Sequence, residues 1–69
     1  MTRIKNIRRK KLFTQRELAE KAQLSQATIS YIENGDKSPT ERTLKKLATA
    51  LDVDIMELIQ PESDTKANG

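Results

Sequence analysis

The sequence of 69 residues contains no cysteine and no histidine, and it has only two glycines and two prolines. Without cysteine the chain can form neither a disulfide nor a thiolate metal site, and without histidine it lacks the commonest general base and metal ligand. No apolar run approaches the roughly 20 residues that a membrane span requires, and the N-terminus has no secretory signal. These absences predict a cytoplasmic protein that binds no metal or other cofactor and no membrane.

The composition also argues against catalysis. A chain of this length, with 35% hydrophobic residues, makes one small domain with a small core. No pair of carboxylates stands out in a pocket-forming context, and no glycine-rich loop is present to hold a phosphate group. We therefore predict no catalytic residues and no enzyme activity.

Basic residues are concentrated at one end of the chain. Residues 1–16 carry seven basic and no acidic side chains, whereas residues 17–69 carry six basic and ten acidic ones. A cationic surface attracts phosphate and gives salt-sensitive affinity for nucleic acid. Taken alone, a basic helix can also be no more than a solvated face.

The segment 14–35, TQRELAEKAQLSQATISYIENG, has the apolar spacing of two short helices joined by a tight turn near Gln23. Its apolar residues recur at three- and four-residue steps on either side of that turn, so the two helices should bury their apolar faces against each other. These residues are Leu18, Ala19, Ala22, Leu24, Ile29 and Ile32.

The second of these two helices keeps a strip without formal charge on its outer side. The strip consists of Gln26, Ala27, Ser30, Tyr31 and Asn34. Amides and hydroxyls near the start of such a helix can read base edges in a DNA groove.

The helix preceding this segment is predicted over about residues 3–11, with Ile4 and Ile7 on its buried side and Leu12 as a further candidate for that side. The residues at 14–17, Thr-Gln-Arg-Glu, have the pattern of a capping box. A capping box marks the start of a helix, so the next helix should begin there.

Capping residues also mark the later helices. Ser25 can cap the third helix, which should end near Asn34 and Gly35, and Thr40 can cap the fourth. The fourth helix has an apolar stripe at Leu44, Leu47, Ala48 and Leu51. Asp54 and Glu57 have the spacing of another capping box, which predicts a short fifth helix.

Residues 7–59 resemble the phage-repressor type of helix-turn-helix domain, the Cro and Xre family. The matching stretches are IRR at 7–9, TQRELAEKA at 14–22, LSQATISYIENG at 24–35 and SPTERTLKKLATALDV at 38–53. The resemblance implies an all-α, lambda-repressor-like fold: a compact five-helix domain over residues 1–59 with its helix-turn-helix unit at 14–35. The polar residues 60–69 are predicted to form a disordered tail.

The resemblance also implies a function. Such a domain binds double-stranded operator DNA as a homodimer, so we expect a sequence-specific transcriptional regulator, a repressor of a palindromic site. An antitoxin or adaptor module whose main partner is another protein is the alternative. The operator sequence, the controlled genes and any effector are not given by the sequence.

Base contacts are expected from the leading part of the third helix, residues 26–34. Gln26 can pair with adenine through two hydrogen bonds, and the methyl groups of Ala27 and Thr28 can pack on thymine. Ser30 and Tyr31 lie one turn further along and are expected to follow them. The equal alternative for Tyr31 is half-buried packing against the second helix or the following loop. The alternative for Gln26 is a solvated helix surface.

Contacts to the DNA backbone are expected from a second group of residues. Gln15 matches the family position that bonds phosphate and often buttresses the leading glutamine of the recognition helix. The others are Arg16, Asn34, Lys37 and Lys11. Arg9 and Lys10 are further phosphate candidates, because spacing alone does not decide which cations face the duplex.

Two charged residues are expected to be structural. Arg8 and Glu33 match family positions at which an arginine of the first helix and a glutamate at the end of the third form an internal ion pair. Arg8 is therefore excluded from the predicted DNA contacts.

Three positions that are glycine in many relatives hold other residues here, namely Leu12, Gln23 and Asp52. Each follows a helix, where a positive φ is easy for glycine and costs other residues about 1 kcal/mol or more. Asp52 is a mild case because aspartate tolerates that region, whereas Leu12 and Gln23 each either accept strain or mark a changed turn. We expect the normal fold with a strained turn at Gln23.

The fifth helix offers a second interaction surface. Its apolar residues Ile55, Met56 and Ile59 exceed what the core needs beside Leu58. They either form an exposed patch for dimerisation or pack at the edge of the core under the fourth helix.

Overall fold

The computed structural model describes residues 2–59, and these form five α-helices and no β-strand. The helices are α1 (Thr2–Lys10), α2 (Gln15–Ala22), α3 (Gln26–Asn34), α4 (Glu41–Leu51) and α5 (Ile55–Ile59). The predicted all-α, five-helix fold is therefore confirmed. The predicted tail at 60–69 lies outside the described residues. No helix in the described part is long and apolar enough to cross a bilayer.

The predicted N-terminal caps form as expected. The Thr14 hydroxyl accepts a hydrogen bond from the Glu17 amide at 3.0 Å, and the Glu17 carboxylate accepts one from the Thr14 amide at 2.8 Å, which completes the capping box. Ser25 and Thr40 likewise accept from the amides three residues further on. These bonds satisfy amides that would otherwise lack a partner, so each helix has a defined start.

The capping box predicted at Asp54 and Glu57 was wrong in its detail. The Asp54 carboxylate accepts from the Met56 amide at 3.3 Å, while the Glu57 amide donates to the Asp54 carbonyl at 2.9 Å. An aspartate can cap through either the second or the third amide of a helix, and in this five-residue helix it uses the second. The start of α5 is confirmed, but its reciprocal bond is not formed.

The hydrophobic core lies between all five helices. α2 packs on α3 and α4, α5 packs on α4, and α1 closes the core against α3 and α5. The fully buried core residues are Ile4, Leu18, Ala19, Ala22, Ile29, Ile32, Leu47, Ala48, Leu51 and Leu58. The buried faces predicted for α2, α3 and α4 are thus confirmed, with Leu24 and Leu44 partly buried at the edge.

Leu12, a candidate for the buried side of α1, is instead 87% exposed. α1 ends at Lys10, and the chain turns at Leu12 through a left-handed backbone with φ of 65°. The amide of Leu12 donates to Arg9 and that of Phe13 to Arg8, so the helical ladder closes there. It is Phe13 that packs against the core after the turn.

Gln23 and Asp52 end α2 and α4 in the same left-handed conformation, both with φ of 59°. After each, the next amide reaches back into the helix: Leu24 bonds the Ala19 carbonyl at 2.8 Å, and Val53 bonds that of Ala48 at 3.0 Å. This is the usual glycine-type helix stop, with a half-buried residue after the cap. The expected normal fold with a strained turn at Gln23 is confirmed.

Replacing Leu12 by glycine should stabilise the domain by about 1 kcal/mol. The substitution removes left-handed strain of about 1–2 kcal/mol, and glycine's larger unfolded-state entropy offsets about 0.5–1 kcal/mol of that gain. Little burial is lost, because Leu12 is 87% exposed. Urea unfolding of Leu12→Gly beside Leu12→Ala, which keeps a Cβ at the same φ, measures the effect. An equal gain in both variants would attribute it to the lost leucine side chain and not to the backbone.

Candidate nucleic-acid interface

The α2-turn-α3 unit presents the predicted strip of α3 to solvent. Caps at Thr14 and Ser25 fix the start of each helix, and the left-handed turn at Gln23 folds α3 back onto α2. Within the strip, Gln26, Ala27 and Asn34 are exposed, Tyr31 is 45% exposed and Ser30 is half-buried. The core beneath thus supports a neutral, polar outer surface.

Three hydroxyls in or beside this strip already have partners. The Thr28 and Ser25 hydroxyl oxygens are 2.8 Å apart, and Ser25 also accepts from the Thr28 amide at 3.0 Å. The Asn34 amide nitrogen lies 3.5 Å from the Ser30 hydroxyl oxygen, at the outer limit of a hydrogen bond. Thr28 therefore offers mainly its methyl group to a ligand, whereas Gln26 has no side-chain hydrogen bond among the described residues.

Arg8 and Glu33 meet in a bidentate ion pair in the interior. Arg8 Nε donates to Glu33 Oε2 at 2.6 Å and Arg8 Nη2 donates to Oε1 at 3.1 Å, while only 8% and 4% of the two residues is exposed. Arg8 Nη1 also donates to the Phe13 carbonyl at 2.8 Å. This single side chain therefore ties α1 to the end of α3 and to the loop before α2.

Gln15 joins the same network. Its Nε2 donates to Glu33 Oε1 at 3.0 Å, so its bond goes to the carboxylate and not to Gln26. The expected support of Gln26 by Gln15 is thus not seen among the described residues, because a buried carboxylate is a stronger acceptor than a neutral amide. Gln15 remains half-buried at the start of α2, and the second N–H of its side-chain amide is left to donate to a phosphate.

The pKa of the Glu33 carboxyl lies below its ordinary value. Burial alone would raise this pKa, but the hydrogen bonds from Arg8 and Gln15 and the positive charges of Arg8 and Lys5 together outweigh it. The folded state therefore stabilises the charged form of Glu33.

Acid should consequently destabilise the domain through Glu33. A carboxyl whose pKa is lower in the folded than in the unfolded state contributes stability above its unfolded pKa, and this contribution is lost as pH falls through the folded pKa. We expect the free energy of unfolding to begin falling near pH ~5 and to continue falling at lower pH. Denaturant unfolding across pH and NMR titration of the Glu33 carboxyl carbon measure this. A Glu33→Gln variant with the same acid dependence as the wild type would contradict it.

The predicted phosphate contacts fall on two surfaces. Arg16 is exposed on α2, with only a loose contact of 3.5 Å to Glu20. Lys11 lies elsewhere, in a groove of about 480 Å³ between α1 and the turn after α4. No residue of the α3 strip lines this groove. Arg3, Lys10 and Lys11 line this groove together with Asp52 and Glu57, so basic and acidic side chains are mixed there.

The apolar residues of α5 divide into two groups. Leu58 is buried and Ile55 is partly buried against the core. Met56 and Ile59 are 55% and 46% exposed. Leu58 and Ile55 thus pack in the core, and the exposed part of the predicted patch consists of Met56 and Ile59.

One contact at the interface was missed from the sequence. The Lys37 ammonium lies 5.3 Å from the centre of the Tyr31 ring. The pair is separated by the α3 C-terminus, and only the Asn34-Gly35 turn signal indicated that the chain folds back there.

The fold and this surface together define a helix-turn-helix DNA-binding domain. Among the described residues, no group of three acidic side chains is placed to hold a metal ion. The family described as "Helix-turn-helix" matches residues 4–58. The chain belongs to this family of DNA-binding transcriptional regulators, of the Cro and Xre type, whose members are not enzymes.

Individual relatives agree with the family. The chain is 41% identical over 59 residues to the uncharacterized HTH-type transcriptional regulator y4dJ of Sinorhizobium fredii, covering 86% of this chain and 77% of the relative. It is 38% identical over 61 residues to the immunity repressor protein of Bacillus phage phi105, covering 88% of this chain and 42% of the relative. It is 35% identical over 68 residues to the regulator SinR of Bacillus licheniformis, covering 97% and 61%. The chain thus spans less than two thirds of the last two relatives.

Proposed function

We propose that the protein is a repressor that binds a palindromic operator as a homodimer, with α3 in the major groove. The observation that carries this proposal is the exposed strip on α3, which is backed by the core and begins with Gln26, whose side chain has no hydrogen bond to any residue of 2–59. The names of two relatives, a phage immunity repressor and a transcriptional regulator, agree with it. The proposal includes a cytoplasmic location, where such a regulator would meet its DNA.

In this proposal the base-edge contacts come from α3. Gln26 pairs with adenine, and Ala27 and the Thr28 methyl pack on thymine methyl groups. Ser30 and Tyr31 contact base edges from the next turn of α3. These assignments favour a half-site that contains A·T pairs.

Phosphates on either side of the groove would bind a second set of residues. The amide of Gln15 and the helix N-terminus behind it can hold one phosphate, since the first amides of a helix favour an anion. Arg16, Asn34, Lys37 and Lys11 are the remaining proposed contacts, with Lys11 set in a groove that no residue of the α3 strip lines. Such contacts fix register and supply salt-sensitive affinity.

The proposed dimer contact is the α5 patch. Met56 and Ile59 are exposed on α5, and Ile55 extends the patch toward the core. A two-fold contact there would leave both recognition helices free. Such a dimer would bind half-sites about 34 Å apart on one face of the duplex.

Random-site selection on immobilised protein at moderate salt tests the proposal. The expected result is a two-fold symmetric motif whose half-site centres are about one helical turn apart. Analytical ultracentrifugation of the wild type and of Met56→Asp tests the dimer, which should dissociate in the variant. Salt-sensitive binding without any motif would contradict the proposal. In that case, a stable complex with a second protein that fails in Met56→Asp would support the adaptor or antitoxin alternative.

A further inference from the structure

The turn after α3 folds Lys37 back onto Tyr31. α3 ends with Gly35 in a left-handed conformation, φ 84°, and the amides of Gly35, Asp36 and Lys37 all donate to the Tyr31 carbonyl. The Asp36 bond is 2.8 Å and the Lys37 bond 3.3 Å. Lys37 is thus held against Tyr31 by its backbone as well as by its ammonium, which lies 5.3 Å from the ring centre.

Lys37 has no carboxylate partner among the described residues, unlike Arg8, Arg16 and Lys45, which pair with Glu33, Glu20 and Glu41. Its one described side-chain contact is therefore the face of the Tyr31 ring. An ammonium over a tyrosine ring is attracted by the negative potential of that face. This attraction restricts the orientation of the Tyr31 ring, which lies 45% exposed at the far end of the α3 strip.

We infer that Lys37 is a positioning residue, which holds the Tyr31 ring so that its phenol meets one defined base pair. The inference rests on the proposed function and extends it, because there Lys37 was assigned to the DNA backbone alone. A ring that is already oriented loses less conformational freedom on binding than a free one. Lys37 then contributes to sequence readout through Tyr31, in addition to attracting phosphate.

The two roles predict different results. Removing a lysine that only binds phosphate weakens binding equally for every sequence. It also lowers the slope of log affinity against log salt concentration by about one. A lysine that orients a reading side chain also changes the preference at the base pair read by that side chain. Sequence dependence therefore separates the two.

The first experiment uses the free protein. Tyr31 is the only tyrosine and the chain has no tryptophan, so the tyrosine near-UV circular dichroism reports this ring alone. We expect the signal to weaken in Lys37→Gln and to persist in Lys37→Arg, because a guanidinium also stacks on aromatic rings. Lys21→Gln, which removes the ammonium 5.6 Å from the Phe13 ring, is the matched control and should leave the signal unchanged. A signal that is unchanged in Lys37→Gln would overturn the inference.

The second experiment measures affinity for the selected operator and for every single base-pair change within it. The base pair that Tyr31 reads is the one at which the Tyr31→Leu variant loses its preference. At that base pair, the preference of Lys37→Gln should fall by about two- to fivefold, the range expected for an exposed cation–π contact. Lys37→Arg should keep that discrimination, and Lys37→Gln should add little when Tyr31 is already leucine. Arg16→Gln serves as the control for a backbone contact, with an equal loss on all sequences.

The two experiments distinguish a failure of the positioning role of Lys37 from a failure of the proposed function. An equal loss of affinity on all sequences in Lys37→Gln would overturn the positioning role and leave the proposed function standing. A wild-type protein that binds DNA with no sequence preference would overturn both.

Discussion

Replacing Glu33 by alanine is expected to lower the free energy of unfolding by about 3–5 kcal/mol, as for other buried ion pairs that lose one partner. Arg8, whose side chain is only 10% exposed in the intact domain, loses the carboxylate that binds two of its nitrogens. Gln15 loses its acceptor as well. A domain this small has only a few kcal/mol in reserve. Thermal and urea unfolding followed by far-UV circular dichroism should therefore show a largely unfolded variant at room temperature.

The exposed Arg16–Glu20 pair provides the matched control. Its side chains are 79% and 70% exposed and its charged atoms are 3.5 Å apart, so Glu20→Ala should cost about 0–1 kcal/mol. The double variant Arg8→Met with Glu33→Leu removes both buried charges and should recover much of the stability. A cost in Glu33→Ala no larger than that in Glu20→Ala would contradict a structural role for the pair.

The helices were predictable because their signals are local. The Thr14 capping box, the Ser25 cap and the stripe of α4 each depend on residues within two turns of one another, and each is present in the structure. The family resemblance supplied the way in which the helices pack. Together they gave the fold class, the helix order and most of the core.

The error at Leu12 has a non-local cause, whereas the one at Asp54 lies within its own short helix. Leu12 continues the apolar spacing of α1, yet the chain must turn there so that α2 can begin at Gln15 and pack on α3 and α4. At Asp54, the spacing to Glu57 could not show which amide a five-residue helix would offer to its cap. At Leu12, therefore, the packing of neighbouring helices decides the backbone.

The candidate site divides in the same way. The solvent-facing strip on α3 follows from helical periodicity and was predicted. The partner of Gln15 is 18 residues away in sequence, and the position of Lys37 over Tyr31 depends on how the chain leaves α3. Such contacts require the three-dimensional arrangement of α2, α3 and the turn after α3.

Gln26→Ala is expected to remove most of the sequence preference without affecting the fold. Gln26 is exposed at the first position of α3, and its side chain has no hydrogen bond within the described residues, so the free energy of unfolding should change little. A bidentate amide–adenine contact is worth about 1–3 kcal/mol of discrimination, or roughly 5- to 150-fold in relative affinity. Affinities for the selected operator and for a scrambled duplex, measured at one salt concentration, give this ratio.

Gln23→Ala is the matched control for that measurement. It removes an exposed glutamine three residues earlier, in the turn, and leaves both the left-handed backbone requirement and the α3 strip in place. Discrimination should therefore stay at the wild-type level in Gln23→Ala and fall in Gln26→Ala, while non-specific affinity stays similar in both because neither residue is charged. If a folded Gln26→Ala variant discriminated as well as the wild type, the reading surface would not be the leading part of α3. The exposed Met56 and Ile59 patch would then become the favoured functional surface.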